Sequence, residues 1–129
     1  MTVPRFAAGL LVVLATCGSD KPPAAGQCSF VGTWAGTYSC PALNGVSYNW
    51  VVRADGTATG TIGGSSTVQQ TWSVSGSTLT IAETDACVGV QGTYTLAFDS
   101  TCNKTKLTRI SDTCSQRGDC VDGLNVTRQ

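Results

Sequence analysis

Few side chains in this chain can do chemistry, and their types exclude most catalytic schemes. The sequence contains no histidine. That removes the usual general base, the commonest metal ligand and any Ser-His-Asp triad. Neither G-x-S-x-G nor a Ser-x-x-Lys pair occurs, so no serine is set up as a nucleophile. Carboxylates remain: Glu83 and Asp85 lie two apart, and Asp112, Asp119 and Asp122 follow later with Arg117 among them. Gathered at one end of a fold, they would form a weak Ca²⁺ site or a dock for a basic protein partner. EF-hand spacing is missing, so a solvated acidic surface is the plainer reading. No enzyme activity, cofactor or metal is expected. Positive and negative side chains balance at 8 each, which leaves no basic footprint for nucleic acid.

The remaining reactive groups are seven cysteines, at 17, 28, 40, 87, 102, 114 and 120. None forms a C-x-x-C pair, so zinc is disfavoured. An odd count in an exported protein asks for an explanation, and the N-terminus offers one. After Arg5, Phe6 to Ala15 is an uncharged apolar run. It is well short of the ~20 residues of a membrane span, and reads as the core of a signal peptide. The run ends in Leu14-Ala15-Thr16-Cys17, which resembles a bacterial lipobox. The resemblance implies a signal peptide over residues 1–16, lipidation at Cys17 and anchoring to the outer membrane of a bacterial envelope. An ordinary secretory signal, with Cys17 incidental, is the alternative. Residues 17–27 include Pro22, Pro23 and Gly26 and have the composition of a flexible tether reaching roughly 30 Å. With Cys17 lipidated, six cysteines remain for three disulfides, the usual device of a small exported domain.

Residues 28–129 must supply the fold. In Phe30 to Cys40 the even positions are Phe30, Gly32, Trp34, Gly36, Tyr38 and Cys40, and the odd ones are small or hydroxylated. That alternation is a half-buried strand. It recurs in seven further segments: Val46–Ala54, Thr57–Ile62, Val68–Val74, Thr78–Ala82, Val88–Asp99, Thr105–Ser111 and Leu124–Arg128. Asn44-Gly45, Asp55-Gly56, Gly63-Gly64 and Asp122-Gly123 mark turns between them. No helical period stands out. The fold class is all-β: one up-and-down antiparallel barrel of about eight strands, with a β-sandwich as the alternative.

A meander sorts the cysteines by end. Cys28 and Cys102 fall at one end, and Cys40, Cys87, Cys114 and Cys120 at the other. Because bonded Cα atoms must approach within about 7 Å, Cys28–Cys102 is expected. Three pairings remain for the other four, with Cys40–Cys87 and Cys114–Cys120 favoured.

Gly32-Thr33-Trp34, together with DGTATGT (Asp55 to Thr61) and TWSVSGSTLTI (Thr71 to Ile81), resembles the calycin superfamily and its bacterial lipocalin-like lipoproteins. The resemblance implies that a basic residue on the last strand lies across the tryptophan. Arg128 over Trp34 is therefore expected, with Arg109 as second choice, both structural. Two uses of the barrel follow. In one, Trp34, Tyr38, Tyr48, Trp50, Trp72, Tyr94 and Phe98 line a cavity for a small apolar ligand. In the other, those rings fill the barrel and a monomeric, lipid-anchored envelope protein acts through its surface, as an interaction or inhibitor module. Arg117-Gly118-Asp119 matches an integrin tripeptide and reads as coincidence. The sequons at Asn103 and Asn125 would go unused in a bacterium.

Overall fold

Alternation of apolar and polar residues builds eight strands, and their pairing closes a ring. The computed structural model describes residues 27–129; the expected signal peptide, Cys17 and most of the expected tether lie outside them. The strands are β1 (Gly32–Thr37), β2 (Ser47–Val52), β3 (Thr57–Ile62), β4 (Ser66–Ser75), β5 (Thr78–Glu83), β6 (Gln91–Phe98), β7 (Lys104–Ser111) and β8 (Asn125–Arg128). Each pairs antiparallel with the next, and β8 returns to β1, closing an up-and-down barrel. Period two is plain in β2, where Tyr48, Trp50 and Val52 are buried and Ser47, Asn49 and Val51 exposed. Closure leaves no unpaired sheet edge, which a chain so rich in threonine strands requires.

One end of the barrel is sealed by rings. Trp34 on β1 faces Trp50 on β2 and Arg128 on β8. Phe30 stacks on Trp34 and meets Trp50 and Trp72 edge-on, with centroids 5.8, 5.0 and 5.7 Å apart. The Arg128 guanidinium lies 4.3 Å over the Trp34 ring, as the calycin-like pattern implied. The same guanidinium donates to the Val31 and Ser29 carbonyls at 2.7 Å and to that of Cys102 at 3.2 Å. Arg128 thus holds three chain segments together. Arg128→Met keeps the stem and removes every one of those contacts. It should lower stability by about 2–4 kcal/mol, summing a cation–π contact and charged hydrogen bonds. Urea unfolding measures this, and a loss below about 0.5 kcal/mol would place the seal elsewhere.

The other end differs from expectation. A two-turn helix, α1 (Ser115–Val121), crosses it between β7 and β8. Two disulfides pin it: Cys40–Cys120, with Cα atoms 4.8 Å apart, and Cys87–Cys114, at 5.9 Å. The favoured pairs, Cys40–Cys87 and Cys114–Cys120, are therefore wrong, and the helix explains why. Cys114 is its N-cap and Cys120 sits in its last turn. At 1.5 Å rise per residue the two Cα atoms stand about 9 Å apart, too far for a bridge. Cys28–Cys102 forms at the sealed end, with Cα atoms 5.4 Å apart, so the division of cysteines by end holds. The expected start of the sixth strand also moves. Val88 and Gly89 lie in a turn before β6, with Val88 69% exposed and Gly89 at φ +80°.

Candidate functional site

The interior has two regions of different chemistry. Trp34, Trp50, Tyr94, Phe98, Leu79, Ile81, Leu107 and Val126 are each less than 2% exposed. They interdigitate through the middle and the sealed end of the barrel. Under α1 the apolar filling stops, and a cavity of about 150 Å³ lies between Tyr38, Tyr48, Gln70, Glu83, Arg117 and several aliphatic side chains. Of the seven rings expected to line a ligand space, only Tyr38 and Tyr48 do so. Trp34, Trp50, Tyr94 and Phe98 are solid core, and Trp72 packs against Phe30 with its Nε1–H donating to the Arg53 carbonyl at 2.9 Å. The large apolar cavity fails because rings from adjacent strands meet across so narrow a barrel.

The polar wall is assembled from four elements. Strand register sets Gln70 on β4 opposite Glu83 on β5, and Gln70 Nε2 donates to Glu83 Oε1 at 3.1 Å. Arg117 enters from α1. Its Nε and Nη2 donate to the two oxygens of Asp112 at 2.7 and 3.0 Å, and Nη2 also reaches the Val90 carbonyl at 2.9 Å. Nη1 stands 3.9 Å from Glu83 Oε1. Asp112 further accepts from the Tyr94 hydroxyl and from the Cys114 N–H. Side-chain exposure is 4% for Arg117, 0% for Asp112 and 8% for Glu83. Two glycines make room for this wall. A Cβ on Gly60 would stand 2.8 Å from a Tyr48 ring carbon, and one on Gly92 2.8 Å from the Asp112 carboxyl carbon.

Electrostatics divide the two acids. Burial opposes charge on Asp112, but the hydrogen bonds from Arg117, Tyr94 and the Cys114 N–H outweigh it and hold the carboxyl below the usual range. Burial dominates at Glu83 and raises its pKa, with Gln70 and Arg117 offsetting only part of the effect. Burial also raises the Tyr38 and Tyr48 phenols, helped by the nearby Glu83 charge.

Opposite signs follow for stability against pH. Asp112 stabilises the fold above the usual aspartate range, and that contribution is lost as pH falls through its depressed value. Glu83 stabilises the fold below the usual glutamate range, and its contribution is lost as pH rises through its elevated value. The urea midpoint of the native chain should therefore decline as pH rises above the usual glutamate range, and Glu83→Gln should remove that decline. Equal slopes for the two proteins would assign the decline to another group.

The acidic end foreseen from the sequence is partly neutralised, by two arginines among its five acids. Asp119 pairs with Arg109 at 3.0 Å, and Asp122 accepts the Arg109 backbone N–H at 2.9 Å. Asp85 accepts from the Gln69 N–H. Among the described residues, no three histidine, cysteine or acidic side chains are grouped to hold a metal. Arg117 is 7% exposed, so the Arg-Gly-Asp tripeptide is not displayed. Sequence reasoning passed over Gln70 as a site residue and named Arg117 only as a cation among the acids of one end. A glutamine in phase with Val68 and Trp72 on an inward face was the available signal.

The fold and site define a class: a closed eight-stranded antiparallel barrel, compatible with a lipocalin-like fold, with a ring-sealed end and a disulfide-pinned helical cap. Its three disulfides indicate an oxidising, extracytoplasmic environment. No family model matches the sequence, and no curated protein and no solved structure matches it either.

Proposed function

We propose that this protein is a non-enzymatic interaction module of the bacterial envelope, lipid-anchored through Cys17, which works through the surface of its capped end. The filled interior carries the reading. Four of the seven rings are fully buried in the core, and the cavity under α1 is about half the ~300 Å³ at which ligand pockets begin. A lipocalin-like carrier of a sizeable apolar ligand would need the space those rings occupy.

The arrangement of the ends supports the same reading. Cys28, near the start of the described residues, bonds to Cys102 at the sealed end, and the two disulfides of the cap brace the opposite end. A tether leaving from Cys28 puts the braced loops farthest from the bilayer. Loops already fixed by bridges lose little entropy on meeting a partner.

A photo-crosslinking amino acid at Ser115 or Pro41 in the cap, and at Asp55 near the sealed end, tests the proposal in intact cells. All three positions are exposed. Discrete protein adducts from the cap positions alone are expected. Adducts confined to Asp55, or an apolar molecule co-purifying in stoichiometric amount, would overturn it.

A further inference from the structure

The cavity under α1 holds a feature that surface presentation does not use. Gln70 Oε1 and Arg117 Nη1 are buried and have no hydrogen-bond partner among the described residues. Their residues are 6% and 7% exposed, and both form part of the cavity wall. An unpartnered buried donor or acceptor is costly, more so when charged. Both side chains also approach the same Glu83 oxygen, Gln70 through its amide Nε2 at 3.1 Å and Arg117 through Nη1 at 3.9 Å, so the two lie on one wall of the cavity. A molecule in the cavity that accepts from the guanidinium and donates to the amide oxygen would satisfy both.

Charge narrows the choice. Asp112 takes Arg117 with both carboxylate oxygens, so the guanidinium is already balanced. Glu83 then stands as an additional acid on the cavity, and an anion entering would meet it. A cation would leave Arg117 Nη1 without its acceptor. A neutral group that both donates and accepts, a hydroxyl or a carboxamide, satisfies all three side chains. The opposite wall, with Leu43, Ile62, Val68 and Val121, suits a short apolar body. A cavity of about 150 Å³ holds a ring the size of benzene. Access is by the rim, where Ala86 and Gln116 are exposed.

We infer that the cavity beneath α1 is a binding site for a small neutral molecule of about six to eight non-hydrogen atoms. Such a molecule carries a hydroxyl or carboxamide that bridges Arg117 Nη1 and Gln70 Oε1. Its ligand carries a polar group and is far smaller than the sizeable apolar cargo that would overturn the envelope-partner proposal, so either reading can fail without the other.

The full mature chain, labelled with ¹⁵N, is titrated with phenol, toluene and benzoate, which share a ring and differ at one substituent. Phenol should shift the Gln70 side-chain amide and Arg117 Nε resonances and bind at least tenfold more tightly than toluene or benzoate, the difference expected of a buried hydrogen bond. Gln70→Leu should abolish the preference for phenol over toluene. Leu43→Trp, which fills the cavity from a half-exposed position, should abolish binding of all three. The backbone spectrum of each variant verifies its fold, and the native chain's three-way comparison stands even if a variant fails to fold. Equal affinity for phenol and toluene, tightest binding by benzoate, or no binding by any probe, leaving ordered water as sole occupant, would overturn the proposal.

Discussion

Arg117→Met should destabilise the protein by about 3–5 kcal/mol, the usual consequence of stripping a buried charge of its partner. The methionine fills a similar volume, so the loss reports electrostatics more than packing. Without Arg117, Asp112 keeps only the Tyr94 hydroxyl and the Cys114 N–H, and Glu83 loses its nearest cation. Both carboxyls then shift toward the protonated form, so the penalty grows as pH rises above the carboxylate range. Combining Arg117→Met with Asp112→Asn removes both charges of the tight pair. The double variant should recover part of the loss, because neighbouring effects of this kind are not additive. Urea unfolding of the four proteins at pH 5 and pH 7 completes the cycle. A single-variant loss under about 1 kcal/mol would show that the cap does not depend on this ion pair.

The second large effect concerns the cap bridges. Removing Cys40–Cys120 by Cys40→Ala with Cys120→Ala should cost about 4–5 kcal/mol on the loop-closure model, because the linked residues are 80 apart in sequence. Removing Cys87–Cys114, 27 apart, should cost about 3–4 kcal/mol. The order of the two losses is the firmer expectation, since native packing shifts their absolute sizes. Thermal unfolding under non-reducing conditions ranks them. Peptide mapping of the intact chain, expected to join Cys40 to Cys120, checks the pairing directly. A larger loss from the shorter loop would mean that α1 is held chiefly by its N-cap.

The barrel was legible because strand alternation and glycine turns are local signals. Tyr48, Trp50 and Val52 announce their face in five residues, and Asp55-Gly56 announces the turn beyond. The resemblance around Trp34 also identified Arg128 as its partner, and a guanidinium 4.3 Å from the ring agrees. The cap was illegible for the opposite reason. Ser-Gln-Arg-Gly-Asp-Cys-Val has little helical propensity, with Gly118 in its middle. Tertiary constraint makes it a helix: a Cβ at Gly118 would stand 2.7 Å from Arg109 Nη1, and a bridge holds each end of the segment. Once that helix was missed, the pairing of four cysteines and the burial of Arg117 were missed with it. Acidic residues counted along the sequence looked like a charged surface, because nothing local shows that Arg109 and Arg117 reach back to them.

The bond between Cys28 and Cys102 also decides how the fold meets mechanical load. A pull applied upstream of Cys28 passes through sulfur into the turn between β6 and β7, bypassing the peptide that leads to β1. Without that bond the force would act on β1, which pairs with β8 through only three residue positions, and would peel the barrel open one hydrogen bond at a time. With it, the load enters between β6 and β7, a hairpin paired over six positions from Thr93 to Phe98, while β7 pairs with β8 over three. A pull on the N-terminal side of this fold therefore spares the short β1–β8 seam and falls on the strands that flank Cys102.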